Sequence, residues 1–407
     1  MSSIPQLLKL AFRNLGRNRR RSLLSSLAVS LGLALLVLMA SVVEGEMRGA
    51  MENTIQLQSA HLQIRAAGYD EEKVSLDWDK LIADPDVILG QLKTVPQVTM
   101  ATPRLLATGI ISLGDQSRGV QVLGIEPDSE ASLRFRQGLL SGEFLSADDR
   151  EGVLIGLPLA RKLKMGVGDK VNLLINRSDG SVDEQLFTIR GIYTTNTSSY
   201  DENTVFMPLD KAQVFAGAQD HASTILIYLQ DREQAEAVAA ALNAPGYEVR
   251  TWRKMNEVIA QTEAFAGAYM VFLYLIVLGI TATVVTNTLV MAVFERTREI
   301  GVLSAIGMKS LRILLQFLAE AALLATGGVI GGLLLGALGA WIFYIVGFDI
   351  ENFGISGILM SNTIRAYLTA GDMIDLGILT YIVTLAAALY PAMLAARLEP
   401  IEALHAE

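Results

Sequence analysis

The sequence predicts an integral membrane protein: four transmembrane α-helices, with one large mixed α/β extracytoplasmic domain held between the first helix and the second. Three observations predict it. Four stretches carry no charge, Ser22–Val43, Ala264–Phe294, Ala321–Phe348 and Leu376–Ala396. Each meets or exceeds the ~20 residues that a helix needs to cross the hydrocarbon core. About 220 residues of ordinary polarity, 44–263, separate the first stretch from the second. Basic residues gather at alternate ends of the stretches, which fixes an orientation.

The leader, residues 1–21, puts Leu7, Leu8, Ala11, Phe12 and Leu15 on one helical face, with Lys9, Arg13, Arg17 and Arg20 mostly elsewhere. That is the pattern of an amphipathic helix in the membrane interface. The first span, 22–43, is longer than the ~7–15-residue apolar core of a signal peptide, so it is read as retained. Lys9, Arg13, Arg17, Arg19, Arg20 and Arg21 precede it, and Arg296, Arg298, Lys309 and Arg312 flank the turn after the second span, 264–294. Residues 349–375, between the third span (310–348) and the fourth (376–396), carry only Arg365 against Asp349, Glu351, Asp372 and Asp375. The N-terminus, the turn 295–309 and the tail 397–407 are therefore expected in the cytoplasm, and 44–263 outside.

Within 44–263, Thr54–Arg65 alternates apolar and polar residues near both ends and reads as a strand. Ser75–Lys93 reads as a helix broken at Pro85. Arg104–Leu113 and Gly119–Ile125 flank the turn Gly114–Ser117 as a hairpin. Pro158 opens a helix over Leu159–Leu163, a position that tolerates proline. Gly166–Asp169 is a turn, Lys170–Ile175 and Glu184–Ile192 are strands, and Thr224–Leu229 is a strand before a helix over Asp231–Leu242. Tyr247–Trp252 is a strand, and a helix starts at Met255. The strand–helix–strand order at both ends suggests one subdomain built from about 50–125 and 216–255, with a β-rich segment, about 126–215, inserted into it.

In the third span Gly328, Gly332, Gly336 and Ala340 recur every four residues, with Gly327 and Gly331 beside them. Small residues at this spacing let helices approach closely in lipid; the partner is another helix of this chain or a second copy. Glu320 precedes 28 uncharged residues, enough to cross the bilayer without it, so a structural place near the cytoplasmic interface is expected.

The composition narrows the chemistry. Residues 44–263 hold 32 Asp and Glu against 21 Lys and Arg, which argues against nucleic acid. The chain has no Cys, so a disulfide or a thiolate-bound metal is excluded. No G-x-x-x-x-G-K-[ST] loop cradles a phosphate, and no serine sits in G-x-S-x-G. His61, His221 and His405 are isolated, without zinc-ligand spacing. The pairs Glu71-Glu72, Asp148-Asp149 and Asp183-Glu184 lie in polar loop-like stretches. No catalytic, cofactor or metal residue is expected.

Several pieces in order carry a family resemblance: LAFRNLGRNRRRS (10–22), TPRLLATG (102–109), VLGIEP (122–127), GVLIGLPLARKLKMGVGDKVNL (152–173), ERTREIGVLSAIGMK (295–309) and PAMLAARLEPIEALH (391–405). Together they resemble permease subunits of the MacB/LolC/FtsX superfamily of ABC transporters, the type VII or mechanotransmission class. The resemblance implies a short coupling helix after the second span that docks on a cytoplasmic ATPase. Here Thr297 would cap it and Gly307 would end it. Ile300, Leu303 and Ile306 would fill a groove of the ATPase, and Arg296, Arg298 and Glu299 would make polar contacts at the rim. ATP and its Mg would sit on that separate ATPase dimer. The resemblance also implies a second permease copy or a similar permease, and contact with membrane lipid. The leader is similar to the elbow helix of the family.

The function expected is ATP-driven extraction or export of a lipoprotein, lipid or other amphiphile, with a periplasmic adaptor in the export branch. A lipid would enter near Val42, Val43, Met47, Phe265, Tyr269 and Met270. The alternatives are a permease that signals force to an envelope enzyme and a membrane scaffold.

Overall fold

The computed structural model describes residues 4–17, 19–69, 74, 76–242, 246–349 and 359–398 and, for residues 4–8, 258–260 and 263, the backbone alone. The pair Glu71-Glu72, His405, most of the tail and the middle of the 349–375 segment lie outside the described residues. Two compact units result: Met1–Glu46, Glu263–Phe348 and Ile364–Glu407 form one, and Met47–Thr262 with Asp349–Thr363 form the other.

Among the described residues, four helices are long and apolar enough to cross a membrane, lying within Arg19–Ser59, Ala264–Glu295, Ser310–Val346 and Ala370–Ala396. A separate leader helix covers Ile4–Arg17 and a short helix covers Thr297–Ala305. All four spans contribute to one apolar cluster: Val29, Val285, Leu289, Ala321, Leu324 and Ala388. The glycine stripe of the third span faces the first span of the same chain. A Cβ on Gly328 would lie 2.6 Å from Val29 Cβ, on Gly332 2.8 Å from Leu33 Cβ, and on Gly336 2.8 Å from Val37 Cβ. The approach also lets the Ser30 hydroxyl donate to the Gly328 carbonyl at 2.9 Å.

Among the described residues of the large unit, ten strands form one connected sheet. They are β1 (Leu62–Ala66), β2 (Val98–Leu113), β3 (Gln116–Ile125), β4 (Leu139–Gly142), β5 (Gly152–Gly156), β6 (Lys170–Asn176), β7 (Val182–Tyr193), β8 (Thr204–Pro208), β9 (Thr224–Leu229) and β10 (Tyr247–Thr251). The 16-residue β2 serves two layers. Its first part pairs with β9, which continues through β1 to β10 in an antiparallel sheet. Its second part pairs with β3 on one side and β6 on the other. From there β3–β8–β5–β7–β6 returns to β2, so these six strands close into a barrel with no free edge among them. The barrel takes two staves, β2 and β3, from the 50–125 segment. Alternate residues Leu105, Ala107 and Ile111 point into a core shared with Val153, Leu173, Phe187 and Val205. Gly109 falls in the same alternation, where a Cβ would lie 2.6 Å from the Leu174 carbonyl oxygen.

Three elements depart from the sequence reading. The first long helix runs to Thr54 and continues as a π-turn over Ile55–Ser59, leaving only Leu62–Ala66 as strand. Ser75–Lys93 is not one broken helix: a 3₁₀ turn (Trp78–Lys80) and a two-residue strand precede the helix Pro85–Leu92. The hairpin turn is tighter than Gly114–Ser117, since Leu113 pairs with Gln116 and Gly114 adopts φ +58°. Sequence reading missed β4, β5, β8 and the helix Leu209–Ala216.

Candidate functional site

The short helix Thr297–Ala305 sits between two breaks in the chain. Arg296 leaves helical geometry at φ −111°, and Gly307 closes the far end at φ +95°. Thr297 does not cap the helix. Its hydroxyl donates back to the Val293 and Phe294 carbonyls at 3.1 and 2.9 Å, because the break falls one residue earlier and Arg296 occupies the cap position.

The expected apolar face is split. Ile300 is buried with Val293, Ile313, Phe317, Ala392 and Ala395, so it anchors the helix to its own chain. Leu303 is half-buried, while Ile306 is 80% exposed and Val302 is exposed beside it. A three-residue step turns the helix by about 300°, so each step drifts about 60°, and Ile300 and Ile306 end about 120° apart. The face left open to a partner is Arg298, Val302, Ala305 and Ile306.

Arg296 also departs from its expected place at the rim. It is 6% exposed and pairs with Glu320, 3% exposed, at 3.1 Å. The Asn14 amide donates to the same carboxylate at 2.6 Å, and Arg296 donates to the Asn14 carbonyl at 3.1 Å. Glu299 is exposed but held by Arg17 at 2.5 Å, and Arg21 pairs with Glu295. The leader helix is thus tied to the turn at two places, Asn14 and Arg17, and the start of the first-span helix at a third, Arg21. Its own apolar face turns Ala11 inward and Leu15 against the spans, while Phe12 stays 74% exposed.

A family description for the MacB-like periplasmic core domain matches residues 22–244, more than half of the chain, and one for the FtsX-like permease C-terminal region matches 271–400. The chain belongs to the MacB/LolC/FtsX permease superfamily. The lipoprotein-releasing system transmembrane protein LolC of Neisseria meningitidis is 24% identical over 95% of this chain and 94% of its own length. LolE of Haemophilus influenzae is 23% identical over 93% of each. The macrolide export ATP-binding/permease protein MacB of Acinetobacter baylyi is 23% identical over the whole of this chain but 60% of its own length. Among solved structures, the periplasmic region of MacB from Actinobacillus actinomycetemcomitans aligns to 52% of this chain at 13% identity, with a TM-score of 0.35. This ABC transporter permease is accordingly a multi-pass membrane protein.

The remaining expected residues of the permease are placed unevenly. Phe265 and Tyr269 are 75% and 61% exposed, and Val42 and Val43 are half-buried, whereas Met270 is only 6% exposed and cannot meet a lipid from outside. Met47 belongs to the large unit, where it is half-buried.

Sequence reading missed the polar joint that fixes the π-turn within the large unit. Arg104 donates to the Leu57 carbonyl at 2.6 Å. Arg134 donates to Asn53 Oδ1 at 2.8 Å, to Gln56 and to the Thr195 carbonyl. Nearby Asp201 is buried, which raises its pKa, against the hydrogen bonds it accepts from Thr194 and Thr195. The partners of Arg104 and Arg134 lie 47 to 81 residues away in sequence, so no local pattern announces them. Among the described residues no group of three or more His, Asp and Glu could hold a metal.

Proposed function

We propose that this permease works with a separate cytoplasmic ABC ATPase dimer, which carries the ATP and Mg, and with a second copy or a similar permease. The motor docks on the open face of the Thr297–Ala305 helix, with Ile306 and Val302 as apolar anchors and Arg298 at the rim. The observation that carries this reading is an 80% exposed Ile306 at the C-terminal end of a helix that buried Ile300 fixes from another side. In this reading the termini and the coupling helix are cytoplasmic and the large domain is extracytoplasmic, as the basic residues require.

ATP-driven closure of the motor moves the large domain and lifts a lipoprotein, lipid or other amphiphile from the outer leaflet. Alignment with LolC and LolE along nearly their whole length supports this over macrolide export, since the match covers only 60% of the MacB relative, an ATP-binding/permease protein. The test is a proteoliposome assay with the copurified ATPase and a membrane-anchored lipoprotein. ATP-dependent loss of lipoprotein from the vesicles is expected. Steady ATP hydrolysis with the lipoprotein retained would contradict extraction and favour force signalling.

A further inference from the structure

The triangle of half-buried Asn14 with buried Arg296 and Glu320 has no place in substrate handling, yet each member belongs to a different element. Asn14 comes from the leader helix, Arg296 from the break before the coupling helix, and Glu320 from the third span. Arg296 Nη1 donates to both Glu320 oxygens at 3.1 and 3.2 Å, its Nη2 donates to the Asn14 carbonyl at 3.1 Å, and the Asn14 amide returns to Glu320 at 2.6 Å. A buried ion pair gains little stability over apolar side chains of the same volume, and its best-attested use is to fix one arrangement against others.

There is something here to fix. The coupling helix is nine residues long and is bounded by a non-helical Arg296 and a left-handed Gly307. Ile300 holds it from one side by non-directional contact. The triangle adds direction, and Arg17–Glu299 repeats the leader link on the exposed side.

We propose that Glu320, Arg296 and Asn14 are positioning residues that lock the coupling helix to both the leader helix and the third span, so that a motor's stroke reaches both. The proposal rests on the docking reading above. The chain has no Cys, so Asp115→Cys, at an exposed hairpin tip, gives one spin label per copy, and a cysteine at the matching hairpin tip supplies the second label where the partner is a similar permease. In the complex of full-length permease and copurified ATPase, the label-to-label distance is measured with and without a non-hydrolysable ATP analogue.

The unsubstituted background is expected to show a nucleotide-dependent shift. Glu320→Gln is expected to retain the ATPase at an unchanged ratio and lose at least half of that shift. Asn14→Ala, which leaves the ion pair in place, is expected to lose a smaller part and covers the case in which Glu320→Gln does not fold. A full shift in either folded variant would overturn the proposal. So would loss of the ATPase from Glu320→Gln, because the pair would then belong to the dock itself. Failure of the unsubstituted chain to bring down any ATPase would instead overturn the docking reading on which the lock depends.

Discussion

Two isoleucines on one short helix should fail in opposite ways. Ile300 is 4% exposed against Val293, Ile313 and Phe317, and Ile306 is 80% exposed. Truncating a packed isoleucine to alanine costs ~2–5 kcal/mol through lost transfer energy and the cavity left behind. Ile300→Ala should therefore lower the melting temperature of the detergent-solubilised permease clearly. Ile306→Ala removes a solvated side chain and should change stability by no more than ~0.5 kcal/mol. Binding should show the reverse emphasis. Full burial of such a side chain in a partner groove contributes ~1.5–3 kcal/mol, which is about 10- to 150-fold in affinity at ~1.4 kcal/mol per tenfold. Fluorescence-detected melting and a titrated pull-down of the ATPase read the two quantities on the same preparations. An Ile306→Ala protein that melts normally and binds the ATPase within about threefold of the parent would refute the docking face. An Ile300→Ala protein with an unchanged melt and weakened binding would refute the division of roles.

Other outcomes follow from single contacts. Gly332→Ala sets a Cβ 2.8 Å from Leu33 Cβ and 2.9 Å from the Ser30 carbonyl, so it should destabilise the spans by ~1–3 kcal/mol. Gly279→Ala, with nothing within 4 Å, should be neutral or stabilising in the same melt. Arg134→Lys keeps the charge but not the fork that reaches Asn53, Gln56 and Thr195, and each charged hydrogen bond lost should cost ~1.5–3 kcal/mol.

His61 accepts the Leu229 amide at Nδ1, and burial holds its pKa below the ordinary 6.5. A depressed folded pKa means the contribution is present above pH 6.5 and lost as pH falls through the folded value. The difference in denaturation midpoint between the parent and His61→Gln should shrink on acidification below that point; a difference constant with pH would contradict it.

The spans were legible because a charge-free run of 20 or more residues has few other uses. Their exact ends were not. Ile55 and Leu57 alternate with Gln56 and Gln58 like a strand, yet both are buried in a π-turn, in two different apolar clusters. The closed barrel escaped notice for a related reason: β5 (GVLIG) and β8 (TVFMP) are buried throughout and have no alternation to read. Arg296 read as a surface residue because its counter-charge, Glu320, lies 24 residues further along the chain. The short helix itself was legible in ERTREIGVLSAIGMK, but a period of three does not keep one face, so the sequence named three isoleucine and leucine anchors where the fold leaves Ile306 most open.

A separate motor that holds the open face of the Thr297–Ala305 helix would lie against Ile306. Replacing Ile306 with a photo-crosslinking phenylalanine analogue in growing cells tests it most directly, with the same replacement at Val214, exposed in the large unit, as the comparison. An adduct between position 306 and an ABC ATPase is expected, identified by mass spectrometry and absent from position 214. Adducts at position 306 with lipid alone would contradict it.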